Sequence, residues 1–341
     1  MLKKISPLVS CVLLFSCAKP TAPESLTPGS GGYAVVAKLQ LPGYAADVDM
    51  NDTLAYVAEG EGGVAVVSVA DRARPRLLGI CEDNRLRGYA YKLARKDSIV
   101  ILAAGGFGIN TVNVGSPTAP SFVQRVGGAN SVVDLIVFGK WLIEGKGEDG
   151  VRFADLDESG VPGYVSYKGY LYSPGYAHGL ATTRDSTLLV SSGEMGLTLY
   201  DLRDIETYAG GPGYYDERKG YASWIDLPGY AVSVALMGDQ RIAFVACGTA
   251  GVQVVDFSDT TLNVIGSYPT GGYAKEVAYS NGRLYVATEL RGLQVLSVVN
   301  PSNPVLVGVI DTEYALGLAV DQHYVYVADE TEGLIIVAIP S

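Results

Sequence analysis

Along most of this chain apolar residues run in short stretches, and small polar residues break the runs at close intervals. Leu54 to Ala58 and Val64 to Val69 are two such runs, separated by a turn from Gly60 to Gly63. Asp47 to Met50 precedes them across Asn51-Asp52-Thr53, and Arg76 to Ile80 follows Arg74-Pro75. Apolar, β-branched runs bounded by Gly, Asn, Asp and Pro predict strands joined by tight turns. Most runs are apolar at consecutive positions, which predicts strands covered on both faces, as where sheet stacks on sheet.

The same four-strand order returns at Glu276 to Tyr279, Leu284 to Ala287, Leu293 to Val298 and Val305 to Ile310. Ile242 to Ala246 and Val252 to Phe257 repeat its middle. A short phrase punctuates the repeats: Gly43-Tyr44-Ala45, Gly88-Tyr89-Ala90, Gly175-Tyr176-Ala177, Gly229-Tyr230-Ala231, Gly272-Tyr273-Ala274 and Glu313-Tyr314-Ala315. Gly128-Ala129-Asn130 is taken as a worn seventh copy, giving spacings of 45, 40, 47, 54, 43 and 41 residues. A period of that size with four short strands per unit predicts an all-β protein, a β-propeller with four-stranded blades. The last repeat stops after its third strand, Gly333 to Ile339, while an orphan strand, Tyr33 to Leu41, precedes the first. The orphan strand is predicted to complete the last blade, closing a ring of seven blades and leaving fewer free edges.

Gly196-Leu197-Thr198-Leu199-Tyr200-Asp201 and Gly251-Val252-Gln253-Val254-Val255-Asp256 resemble the signature of LVIVD-repeat proteins. Tyr285-Val286-Ala287 and Tyr326-Val327-Ala328 resemble that family's preceding strand, and Asn300 to Val305 its turn into the fourth strand. The resemblance spans about residues 33 to 341. It implies a secreted or surface propeller of bacteria, frequently a lipoprotein, and it implies no catalytic residues.

The N-terminus is of another character. Lys3 and Lys4 precede an apolar stretch from Ile5 to Phe15, too short to span a bilayer, ending in Leu14-Phe15-Ser16-Cys17. This resembles a lipobox, so residues 1–16 are expected to be a signal peptide and Cys17 the lipidated first residue of the mature chain. Residues 17–32, rich in Pro, Ser, Thr and Gly, then read as a tether, and 33–341 as the propeller. The expected location is the bacterial cell envelope, on the periplasmic or surface face of the outer membrane, with the lipid as the only membrane contact. With 25 basic against 36 acidic residues, nucleic acid is a poor partner. Cys81 and Cys247 lie in different repeats and are expected to be buried free thiols.

Chemistry is sparse. The repeat tyrosines and the glycine turns should gather at one mouth of the central channel. There Tyr44, Tyr89, Tyr176, Tyr230, Tyr273 and Tyr314 either form a collar or wedge between blades. Just past the phrase the blades differ, and Asp47, Lys92, His178, Lys275 and Glu276 are expected to share that mouth. Gly145 to Gly150 has dinucleotide-binding spacing, but a strand follows it and no helix. The run from Asp47 lacks the glycine and glutamate of a calcium loop. No metal, cofactor or catalytic residue is assigned.

Two connections are overlong, Asp157 to Pro174 and Arg203 to Pro228, and residues 164 to 230 hold 11 of the 23 tyrosines. Long loops on a rigid scaffold often carry binding, and tyrosine gives broad contact area. Tyr208, Tyr214, Tyr215, Tyr221 and Trp224 are therefore the candidate contact for a protein or glycan, unless extra strands bury them. The expected function is a lipid-anchored binding or scaffold module. A propeller enzyme acting on extracellular polymers at the channel mouth, and a purely structural envelope component, are the alternatives.

Overall fold

The computed structural model describes residues 29–340, except 61–62, 87, 127–130, 158–160 and 206–219, and of 162–169 only the backbone. Seven four-stranded antiparallel sheets make up the described chain. Blade one consists of Asp47–Asn51, Leu54–Ala58, Val64–Ser68 and Arg76–Cys81, close to the predicted bounds. Blade seven is completed as expected: Ala34–Leu39 pairs antiparallel with Gly333–Ala338, Ala34 opposite Ala338 and Leu39 opposite Leu334.

The consecutively apolar strands find cover on both faces. Seven apolar clusters form, each made from two neighbouring blades; one joins Val57, Ala65 and Val67 of blade one to Tyr326, Leu334 and Ile336 of blade seven. Another joins Phe244 and Val254 of blade five to Leu284 and Val286 of blade six. Burial is thus spread around the ring, and no blade has a core of its own. In every blade the register slips between the third and fourth strands, as between Val66 and Val67 in blade one and Val295 and Leu296 in blade six. Such a bulge bends the outer strand and makes its open edge a poor template for pairing.

The phrase and the turn between strands two and three meet on one face. Ala90 bridges Gly60, Ala177 bridges Gly147, Ala231 bridges Gly193, Ala274 bridges Gly248 and Ala315 bridges Glu289. In blade three the bridge to Gly105 is made by Val132. The worn copy is therefore centred on Ser131, two residues beyond the expected Ala129, which itself lies outside the described residues. With Ser131 in the tyrosine's place the uneven intervals of 40 and 47 residues become 42 and 45.

The first overlong connection is absorbed by the outer strand of blade three, Pro162–Leu171, which is ten residues long. In the second, the outer strand of blade four is Tyr221–Ile225. Tyr208, Tyr214 and Tyr215 lie outside the described residues, as does Cys17. Cys81 and Cys247 are buried and free, as expected.

Candidate functional site

Three residues past the repeat tyrosine, the inner strands set Asp47, Lys92, Asp134, Gly179, Ser233, Glu276 and Gly317 around the channel, in matching register with their second strands. Carboxylates here tie blade one to blade two and blade three to blade four. Asp47 Oδ2 accepts the Leu93 N–H at 3.0 Å, and Asp134 Oδ2 accepts the Leu180 N–H at 2.8 Å. The glycines serve close approach: a Cβ at Gly179 would lie 2.7 Å from Ser233 Cα, and one at Gly317 2.6 Å from Asp47 Cα.

Lys92 is the hub of the charges. Its Nζ lies 3.3 Å from Asp47 Oδ1 and hydrogen-bonds Glu276 Oε2. Burial alone would pull Lys92 down, but Asp47, Glu276 and Asp134 outweigh it and push its pKa well up. The amine therefore stays protonated and is no nucleophile. Burial raises the three carboxyls against the pull of Lys92: Asp47 upward, Asp134 to about 6 and Glu276 to about 8. His178 lies between Tyr176 and Tyr230, with ring centroids at 4.8 and 5.4 Å. Burial, then the Lys275 charge, lowers it to about 4, so it is neutral at pH 7. Among the described residues no group of three or more His, Cys, Asp or Glu is placed to hold a metal ion.

Above this floor the channel opens into a cavity of about 910 Å³, lined by all five mouth residues expected from the sequence together with Asp134, and by Tyr44, Tyr89, Tyr91, Tyr176, Tyr314, Glu289 and Glu330. The repeat tyrosines divide between the two expected roles. A Cβ on Gly147, Gly193 or Gly248 would meet the ring of Tyr176, Tyr230 or Tyr273 at 2.5, 3.1 and 2.9 Å, so these three wedge against the preceding blade's turn. In blade six Glu289 takes that glycine's place, with φ at 47°, and its Oε2 accepts the Tyr314 hydroxyl at 3.1 Å. Burial and that carboxylate hold the Tyr314 hydroxyl up at about 12. Over Gly60 the ring is that of Tyr44, and Tyr89 is left 43% exposed, stacked on Tyr91 at 6.0 Å.

Sequence reasoning missed Asp134, Glu289 and Glu330. The first was hidden by the two-residue misplacement of the worn phrase. The other two stand where five blades have glycine, a departure visible only once the turns are aligned. Of the candidate contact residues, Tyr221 is half-buried, edge-on to Tyr200 at 6.1 Å, whereas Trp224 is 41% exposed. Two further exposed rings, Tyr170 and Tyr172, stand at the end of the neighbouring outer strand.

A family model described as the LVIVD repeat matches residues 42–83, 228–270, 271–312 and 314–341. Four of the seven blades of this propeller are LVIVD repeats. Solved structures similar to the LVIVD propeller include the WD40 β-propeller domain of Doa1, with TM-score 0.67 and 13% identity over 91% of this chain and 98% of that one. The computationally designed Ika8 protein is similar as well, with TM-score 0.60 and 12% identity over 86% and 83%. At such identities the likeness concerns the fold alone. No curated protein matches the chain.

Proposed function

We propose that this LVIVD propeller is a binding module of the bacterial cell envelope, held by lipid at Cys17, which captures a protein or glycan through blades two to four. One observation carries the reading. All six exposed Phe, Tyr and Trp side chains among the described residues, Tyr89, Tyr91, Phe107, Tyr170, Tyr172 and Trp224, belong to those blades. Exposed rings gathered on one side of a rigid scaffold mark interaction surfaces, since each buries a large area on contact. Tyr208, Tyr214 and Tyr215 of the long connection in blade four are further candidate contacts, by their sequence alone. The channel supports binding more than catalysis, because Lys92 is locked to Asp47 and Glu276, the carboxylates that a reaction would need.

A photo-crosslinking residue at Tyr172 or Trp224 should trap one partner in intact cells, and the same probe at Val264 or Val299 should trap none. Equal trapping from all four positions, or none from any, counts against the reading. The anchor is tested separately: Cys17→Ser should move the protein from membranes to the soluble fraction, and continued membrane retention would refute it.

A further inference from the structure

The channel mouth carries chemistry that the aromatic side of the ring does not explain. Its cavity is walled by tyrosine rings, and in its lining six carboxyl groups, Asp47, Asp49, Asp134, Glu276, Glu289 and Glu330, stand against two lysines, Lys92 and Lys275. At its floor Asp47 and Glu276 are taken up by Lys92, and Asp134 by the backbone N–H groups of Leu135 and Leu180. His178 is neutral at pH 7 and adds no positive charge. Higher up, Glu289 and Glu330 line the same cavity as Tyr44, Tyr89 and Tyr91.

These five residues sit on consecutive blades. Glu289 and Glu330 occupy the strand two–three turns of blades six and seven, Tyr44 opens blade one, and Tyr89 and Tyr91 open blade two. The rings form a continuous row, with Tyr44 and Tyr89 at 6.3 Å and Tyr89 and Tyr91 at 6.0 Å. Ring faces beside carboxylates in a concave, partly desolvated wall attract an organic cation twice, through the quadrupole of the rings and through charge. The same wall repels phosphate, sulfate and uronate groups.

We propose that this sector of the mouth is a binding site for an organic cation, an ammonium or guanidinium group, with the rings of Tyr44, Tyr89 and Tyr91 as its aromatic wall and Glu289 and Glu330 as its counter-ions. The group arrives either on a small polyamine or on a lysine or arginine side chain of a partner. The site shares Tyr89 and Tyr91 with the exposed aromatic side of the ring and does not need the outer-edge rings Tyr170, Tyr172 and Trp224.

The test is calorimetric titration of the full chain with spermidine and with a Gly-Gly-Lys-Gly-Gly peptide. The same peptide with norleucine for lysine, and glucuronate, serve as uncharged and anionic controls. Saturable one-to-one binding of at least one cationic probe is expected, at least tenfold tighter than either control. Binding of spermidine without the peptide identifies a small-molecule source, and binding of the peptide identifies a side-chain source. Glu289→Gly restores the residue that five other blades use, so folding is preserved, and it should weaken cation binding about tenfold. Tyr89→Ala combined with Tyr91→Ala should weaken it comparably, since these rings are exposed and add little to the core. No saturable cation binding, equal affinity for the norleucine peptide, or undiminished binding by Glu289→Gly at unchanged thermal stability would each overturn the proposal.

Discussion

The ring has two unlike sides. Blades five, six, seven and one carry the stretches matched by the LVIVD model, and blades two, three and four carry none of them. Yet both sides share strand order, register, the outer-strand bulge and the bridge from the phrase to the preceding turn. Val132 makes that bridge in blade three as well as alanine does elsewhere. What the blade needs is a small or β-branched residue at the bridge, a turn with positive φ and strands apolar on both faces. The motif is one way of meeting those needs. Released from it, blades two to four place rings in solvent, whereas the exposed large apolar side chains of the matched blades are all aliphatic.

The largest expected effect tests whether the matched side holds the ring. Deleting residues 33–41 bares the edge of Gly333–Ala338 and uncovers part of the cluster around Leu41 and Ile336. The melting temperature should fall by roughly 10 °C or more, with association visible by light scattering. A monomer of unchanged stability would mean that closure contributes nothing.

Next in size are two changes on either side. Phe244→Ala, in the fully buried core shared by blades five and six, should cost about 3–5 kcal/mol by denaturant titration. Lys92→Ala should cost about as much, because it strips Asp47 and Glu276 of their buried cation. The two are told apart by pH. Carboxyls whose folded pKa is raised lose stability as pH rises through that value. The penalty of Lys92→Ala should therefore grow from pH 6 to pH 9, and that of Phe244→Ala should stay constant.

A smaller effect concerns Glu59, which is fully buried and accepts the Gly43 N–H at 3.1 Å. Burial lifts it to about 7. Since the folded state binds this proton more tightly, stability contributed by Glu59 is present at acid pH and lost as pH rises from about 4.5 through 7. Glu59→Gln should remove that slope and stabilise the protein at pH 8 by at most about 3 kcal/mol. The smallest effect belongs to the aromatic side: Trp224→Ser and Tyr172→Ser should each change stability by less than about 0.5 kcal/mol. A larger loss would make them core residues and weaken the case for a contact surface.

The fold was legible because burial on both faces and tight turns leave local marks. Leu54–Ala58, Ile242–Ala246 and Val305–Ile310 have the bounds read from their apolar runs. The channel floor was legible in part. Asp47, Lys92 and Glu276 are brought together through equivalent places in blades one, two and six. Asp134 holds the same place in blade three, but its phrase had lost the tyrosine that marks the register. The fate of Tyr89 could not be read at all. It depends on which ring lies over Gly60, a choice made between two blades and absent from either repeat alone.

The seam between the first and last strands also has a mechanical meaning. Gly333 lies at the mouth and Ala338 at the opposite face, so Ala34, paired with Ala338, brings the chain in at the end away from the mouth. The chain enters through a turn, with the Tyr33 N–H on Ser30 O, that lies against Val307 and Gly308 of blade six, and a pull from the N-terminal side reaches the strand Ala34–Leu39 once that turn has let go. Load on that segment strains its whole ladder against Gly333–Ala338 in shear, instead of peeling it open bond by bond. A propeller tethered from this end would present its mouth outward and resist tension along the line where its ring is joined.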